Sequence, residues 1–239
     1  ETAYRALWDE WREGAAPRLH RLYAAGDHAA AASLAHRLLA RDPAHVEALH
    51  VLGALAYAAG DPAAAAALLA RAPEQADILS DLGVMQRAQG NPVGAEQTLR
   101  RALALEPDLL PALGNLGNVL LDQGRTAEAE AVLSRAVEQA PDEAWLRRSL
   151  ALVLLARQDA AGAEPQLRRA LALAPDDAEV HETLGALLSQ SGRPVEAAQH
   201  HLAALPGLKD KPRCLSNLAI ALQMQARHAE TEQCYRHAL

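Results

Sequence analysis

One register runs through almost the whole chain and decides what it can fold into. A Leu followed by a small residue recurs as Leu52-Gly53, Leu82-Gly83, Leu116-Gly117, Leu150-Ala151, Leu184-Gly185 and Leu218-Ala219. The spacing is 30 residues once and 34 four times. Twelve residues beyond each small residue stand Ala65, Ala95, Ala129, Ala163, Ala197 and Thr231. Nineteen beyond it stand Ala72, Ala102, Ala136, Ala170, Ala204 and Ala238. A helix breaker falls between the two sets at Gly60, Gly90, Gly124 and Gly192, with Gln158 and Ala226 as exceptions. Pro43, Pro107, Pro141 and Pro175 close units at another shared phase. A fixed period of this size marks a repeat architecture, in which each unit covers the apolar face of its neighbour.

Each unit reads as two helices. Leu113, Leu116, Gly117 and Leu120 fall on one stripe, and Ala129, Leu133, Ala136 and Val137 form a second after Gly124. The small residues mark places where two helix axes lie close together, so each Gly is expected to meet its partner helix directly. Composition agrees. There are 56 Ala, only 3% aromatic residues and no Phe; such a core needs close helices, and Ala is the best helix former. Asp61-Pro62, Asn91-Pro92 and Arg193-Pro194 have the form of helix starts, with Pro at the first helical position.

The pattern resembles the tetratricopeptide repeat over residues 15–239. The resemblance implies an all-α fold, a right-handed superhelical solenoid of antiparallel helix pairs. Residues 1–43 are expected to form an N-terminal helix, carrying Trp8 and Trp11, plus a degenerate first repeat. Residues 44–239 are expected to form six units, one shortened to 30 residues, with the last uncapped. The short unit should end its second helix at Ala72, ahead of Pro73, and Pro165 should bend the helix that contains it. The start of the sequence lacks an initiator Met, which points to a cut or processed chain, and Leu239 falls while the last helix is still in phase. Continuation into further repeats or a catalytic domain is expected, or end-to-end contact between copies through the last repeat.

Chemistry is sparse. The ten His include no pair at helical zinc spacing, and the adjacent His200 and His201 point about 100° apart on a helix. No phosphate loop or catalytic constellation stands out, and paired carboxylates such as Glu128 and Glu130 read as a solvated face. Cys214 and Cys234 read as buried thiols. The expectation is therefore no catalytic residues, no metal and no cofactor. A net charge of −7 argues against a nucleic-acid partner, and no apolar run suits a membrane span. The opening Glu1-Thr2-Ala3-Tyr4-Arg5 lacks a signal-peptide pattern, so a cytoplasmic location is expected. Heavy use of Arg beside only Lys209 and Lys211 fits a GC-rich bacterial gene.

What remains is the face of each first helix turned away from the core stripe. Two residues before the small position stand Val51, Asp81, Asn115, Ser149, Thr183 and Asn217. By the resemblance, that face lines the groove that takes a partner protein or extended peptide. An amide offers both donor and acceptor to a peptide backbone. The stretch from Ala112 to Asn118, with Asn115 and Asn118, resembles the asparagine ladder of O-linked N-acetylglucosamine transferases. The expected groove residues are Asn115, Asn118 and Asp122, with Asp81 and Arg87 from the unit before, Trp145 and Arg148 from the unit after, and Asn217. A carboxylate clamp is not expected, because the matching positions carry Glu47, Asp77, Pro111, Trp145 and Glu179, with Arg only at 213. The reading is an interaction module, the repeat arm of a larger bacterial protein such as a glycosyltransferase. The alternative is a self-assembling structural scaffold without a groove ligand.

Overall fold

In a computed structural model, residue 14 and residues 16–238 are described, and these are helices joined by short turns. The expected N-terminal helix with Trp8 and Trp11 lies outside the described residues, as does Leu239. The chain divides into two compact units, Glu1–Gln123 and Gly124–Leu239. The first contains α1 (16–24), α2 (His28–Leu39), α3 (Val46–Ala58), α4 (Pro62–Leu69), α5 (Ala76–Ala88), α6 (Pro92–Leu105) and α7 (Leu110–Asp122). The second contains α8 (Thr126–Gln139), α9 (Ala144–Ala156), α10 (Ala160–Leu173), α11 (Ala178–Gln190), α12 (Pro194–Ala204), α13 (Lys211–Gln223) and α14 (His228–Ala238). Within each unit consecutive helices pack together, and first helices also touch first helices, α5 on α7 and α11 on α13.

The repeat register becomes the core. Ala65, Ala95, Ala129, Ala163 and Ala197 are all inaccessible, and so are Ala102, Ala136, Ala170 and Ala204. The small residue of the first helix does not face these alanines alone. A Cβ on Gly53 would stand 3.1 Å from Leu69 Cδ2, and one on Gly83 only 2.6 Å from Leu99 Cγ. The glycine therefore receives the leucine one turn beyond the alanine, a bulky side chain seated where the partner helix has none.

The turns follow the expected phase. Gly60, Gly90, Gly124 and Gly192 adopt left-handed backbone, and so do the two residues that replace glycine, Gln158 at φ 63° and Ala226 at φ 60°. Second helices begin with side-chain caps from Asp61, Asn91 and Asp159, whereas Arg193 makes no such cap. A recurring clasp sits at the same end. Gln89, Gln123 and Gln225 each donate from Nε2 to the carbonyl of Pro62, Pro92 and Pro194, the first residues of the preceding second helices.

One local expectation needs correction. The short unit ends α4 at Leu69, not Ala72. Pro73 disfavours helical backbone at the residue before it, and α5 already begins at Ala76. Pro165 lies inside α10, as expected, and the helix runs on to Leu173. The missing N–H costs one bond near the helix start, and packing of Ala163, Leu167 and Ala170 holds both sides of it.

Candidate functional site

The polar faces of the first helices are already occupied by contacts between neighbouring repeats. In the first unit His50 Nε2 lies 2.6 Å from Asp81 Oδ2, joining α3 to α5. Asn115 Nδ2 donates to Ser80 Oγ at 3.3 Å, joining α5 to α7. In the second unit Asn217 Nδ2 donates to Glu182 Oε1 at 2.7 Å, joining α11 to α13. All three are the same pair in repeat terms. The residue three before the small position on one first helix meets the residue two before it on the next. Thus the row that holds Asp81, Asn115 and Asn217 bonds backwards to its own chain. Val51 and Ser149, in the same row, are buried, and Thr183 Oγ1 donates to the Glu179 carbonyl of its own helix.

The remaining expected residues fall into the two units separately. Arg87 grips Asp122 with two bonds, Nε to Oδ2 at 2.5 Å and Nη2 to Oδ1 at 3.1 Å, and both side chains are partly exposed. Asn118 is half-buried, and its amide has no hydrogen-bond partner among the described residues. In the second unit Trp145 is half-buried and donates its indole N–H to Glu143 Oε2 at 3.0 Å. Arg148 pairs with Glu179 Oε2 at 2.5 Å and stands 3.7 Å from Asp177. The hydrogen bond to Asp81, with burial opposing it, raises the pKa of His50 above the usual 6.5.

A second cluster was not foreseen. Glu182 on α11, His201 on α12 and Cys214 on α13 meet in the interior of the second unit, with exposures of 6%, 0% and 0%. His201 Nδ1 lies 2.8 Å from Glu182 Oε2. The Cys214 thiol donates to the His201 carbonyl at 3.3 Å. One donor atom from each of the three side chains lies within 4.8 Å of the others. Burial favours the neutral carboxyl, but bonds from His201, Cys214 and Asn217 outweigh it and hold Glu182 at about 2. Burial and the neighbouring carboxylate push the Cys214 thiol up to about 12. His201 Nε2 is buried without a partner. Beside it, His181 and His200 meet ring nitrogen to ring nitrogen at 2.9 Å.

The sequence reading treated the histidines as scattered and expected no metal-binding set. In the structure three helices bring together residues 19 and 13 positions apart, so His201 is not an isolated histidine. A signal was present. In repeat register His201 takes the place of Leu69, Leu99, Leu133 and Leu167, all fully or almost fully buried.

The comparisons with known proteins fit this architecture. Tetratricopeptide repeat profiles match residues 22–77 and 86–151, then 148–212, then 213–239. The chain belongs to the tetratricopeptide repeat family. Solved structures with the same fold include pilF of Pseudomonas aeruginosa, at TM-score 0.71 and 24% identity over 82% of this chain and 90% of that one. MamA of Desulfovibrio magneticus RS-1 matches at TM-score 0.60 and 18% identity, covering 68% of this chain and 92% of that one. YrrB, described as a TPR protein with an unusual peptide-binding site, matches at TM-score 0.55 and 20% identity, covering 68% and 84%. At these identities the likeness is one of fold. No curated protein sequence matches the chain. Among the described residues, no helix is long and apolar enough to cross a membrane.

Proposed function

We propose that this chain is a non-catalytic protein–protein interaction module that holds an extended segment of a partner along the polar faces of its first helices. The observation that carries this reading is the α5–α7 face of the first unit. There Asn118 offers an unpaired amide about one turn from Asn115, with the Arg87–Asp122 pair one further turn along. The Asn115 bond to Ser80 uses one amide hydrogen at 3.3 Å, which leaves its carbonyl oxygen for a peptide N–H. In the second unit Trp145, Arg148 and Asn217 supply a separate polar face with an aromatic edge. The description of YrrB as a peptide-binding repeat protein lends support to this class of partner.

The finer reading makes the chain the repeat arm of a larger, cytoplasmic bacterial protein such as a glycosyltransferase of the O-linked N-acetylglucosamine type. It rests on the Asn115-Leu116-Gly117-Asn118 stretch and on Arg-rich, Lys-poor composition. Peptides selected from a random displayed library on the whole chain test the groove. Losing one buried hydrogen bond costs about 1–3 kcal/mol, so Asn115→Ala with Asn118→Ala should weaken the selected peptides about tenfold or more without lowering the melting temperature. Unchanged affinity would remove the reading.

The scaffold alternative has one observation of its own. Ile220 and Met224 on α13 and Tyr235 on α14 are 47%, 52% and 41% exposed, apolar side chains that the last hairpin leaves open. Light scattering over a concentration series separates the two: a monomer throughout favours the groove, and growth of end-to-end species that Met224→Glu abolishes favours self-assembly.

A further inference from the structure

We propose that Glu182, His201 and Cys214 form a binding site for a single divalent transition metal of the zinc class, reached from the cleft between α11 and α13. The donor set is a thiolate, an imidazole and a carboxylate, the three side-chain types that bind Zn²⁺. Bonds of about 2.0–2.3 Å place neighbouring donors on a tetrahedral ion roughly 3.3–3.7 Å apart. His201 Nδ1 and Glu182 Oε2 stand at 2.8 Å, and the whole donor set lies within 4.8 Å. That contact is about half an ångström shorter than two donors on one tetrahedral ion would be.

The surroundings have the features such a site requires. Asn217 Nδ2 holds Glu182 Oε1 at 2.7 Å and so leaves Oε2 for the ion, an outer-shell bond that orients a ligand. Gly185 makes room for the imidazole, since a Cβ there would lie 2.8 Å from His201 Cε1 and 2.9 Å from Nδ1. Two clefts supply a way in. One of about 240 Å³ is bordered by His201, Ser189 and Asn217, and one of about 420 Å³ by Glu182, Arg213 and Asn217. Three protein ligands leave a fourth position for water or a partner's donor.

A purely structural role accounts for less. Four other repeats fill the His201 position with leucine, and the Cys214 position is taken elsewhere by Ala48, Ile78, Ala112, Leu146 and Val180, all buried. The exchange puts an imidazole and a thiol, both fully buried, beside a carboxylate where four other repeats keep apolar side chains. Metal binding balances the charges. The Cys214 thiol gives its proton to solvent, and the His201 Nδ1 proton moves to Nε2. Thiolate and carboxylate together then neutralise a divalent ion.

Titration of the chelator-treated whole chain with Co²⁺ tests this. One equivalent should bind, with a thiolate-to-cobalt charge-transfer absorption that Zn²⁺ abolishes on displacing the cobalt. Cys214→Ser should lose that absorption. His201→Leu, which installs the residue found in four other repeats, should lose one-equivalent binding while keeping the helical circular dichroism of the parent. Asn217→Ala should weaken binding about 10–100-fold. The proposal is overturned if no thiolate band appears, if cobalt binds only to surface histidines without one, or if the band survives His201→Leu or Glu182→Gln.

Discussion

Adding one methyl group at Gly83 and at Gly53 separates the packing contact from everything else that glycine does. Both residues lie inside first helices and have helical backbone, so Gly→Ala gains about 1 kcal/mol of helix propensity at each. The space differs. At Gly83 the new Cβ would meet Leu99 Cγ at 2.6 Å, Cδ2 at 2.9 Å and Cδ1 at 3.2 Å, so the whole isobutyl group is in the way. Leu99 is fully buried and has nowhere to turn. At Gly53 the closest atoms are Leu69 Cδ2 at 3.1 Å and Cγ at 3.2 Å, which a shift of a few tenths of an ångström relieves. Overpacking costs about 1–3 kcal/mol. Gly53→Ala should therefore be neutral or stabilising by up to about 1 kcal/mol, and Gly83→Ala destabilising by up to about 2 kcal/mol. Urea denaturation followed by far-UV circular dichroism measures both. Leu99→Ala should be partly compensated by Gly83→Ala, giving a non-additive double mutant. Equal midpoints for the two single variants, or a larger loss at Gly53, would refute the assigned contacts.

Left-handed turns, a histidine–carboxylate contact and the glutamine clasp can each be probed by a single substitution. Gln158→Gly and Ala226→Gly replace exposed left-handed residues and should each stabilise by about 0.5–1 kcal/mol, read as a rise in the denaturation midpoint; no gain at either would mean those turns relax to another conformation. The His50–Asp81 contact raises the histidine pKa, so its stabilisation is complete below the usual 6.5 and is lost as pH climbs through the raised folded value. Melting of His50→Gln should converge with the parent on the alkaline side, and a constant gap from pH 6 to pH 9 would contradict that. Gln89→Ala removes an exposed clasp to the Pro62 carbonyl and should cost about 1 kcal/mol or less by urea denaturation, with a loss several times larger ruling out so local a role.

The fold was legible because its information is local and repeated. Leu52-Gly53, Ala65 and Gly60 each have a phase that the other units restate, whereas Gln158 and Ala226, exceptions to the glycine in the sequence, showed their left-handed backbone only in the structure. The polar face was legible only in part. Asn115 and Asn217 lie where the period places them, but their bonds to Ser80 and Glu182 link residues 35 apart, and side-chain choice across that distance leaves no mark on hydropathy. Glu182, His201 and Cys214 were harder still, since three separate helices must be superposed before the residues meet. The departure from leucine at 201 was the visible trace, and it stands out only once the repeats are compared position by position.

The shortened unit has a consequence for how the chain tolerates changes in length. Its missing four residues come out of the end of α4, yet Gln89 still reaches the Pro62 carbonyl, across 27 residues where Gln123 and Gln225 span 31 to theirs. The deletion was absorbed wholly at the edge where second helices hand over to the next first helix, and the opposite edge, with its left-handed turn and clasp, kept its geometry. The two edges of a hairpin are thus unequal sites for insertion. Residues added between Ala70 and Gln75 extend a connection that already varies in length, whereas residues added around Gly60 would break the turn, the Asp61 cap and the clasp at once.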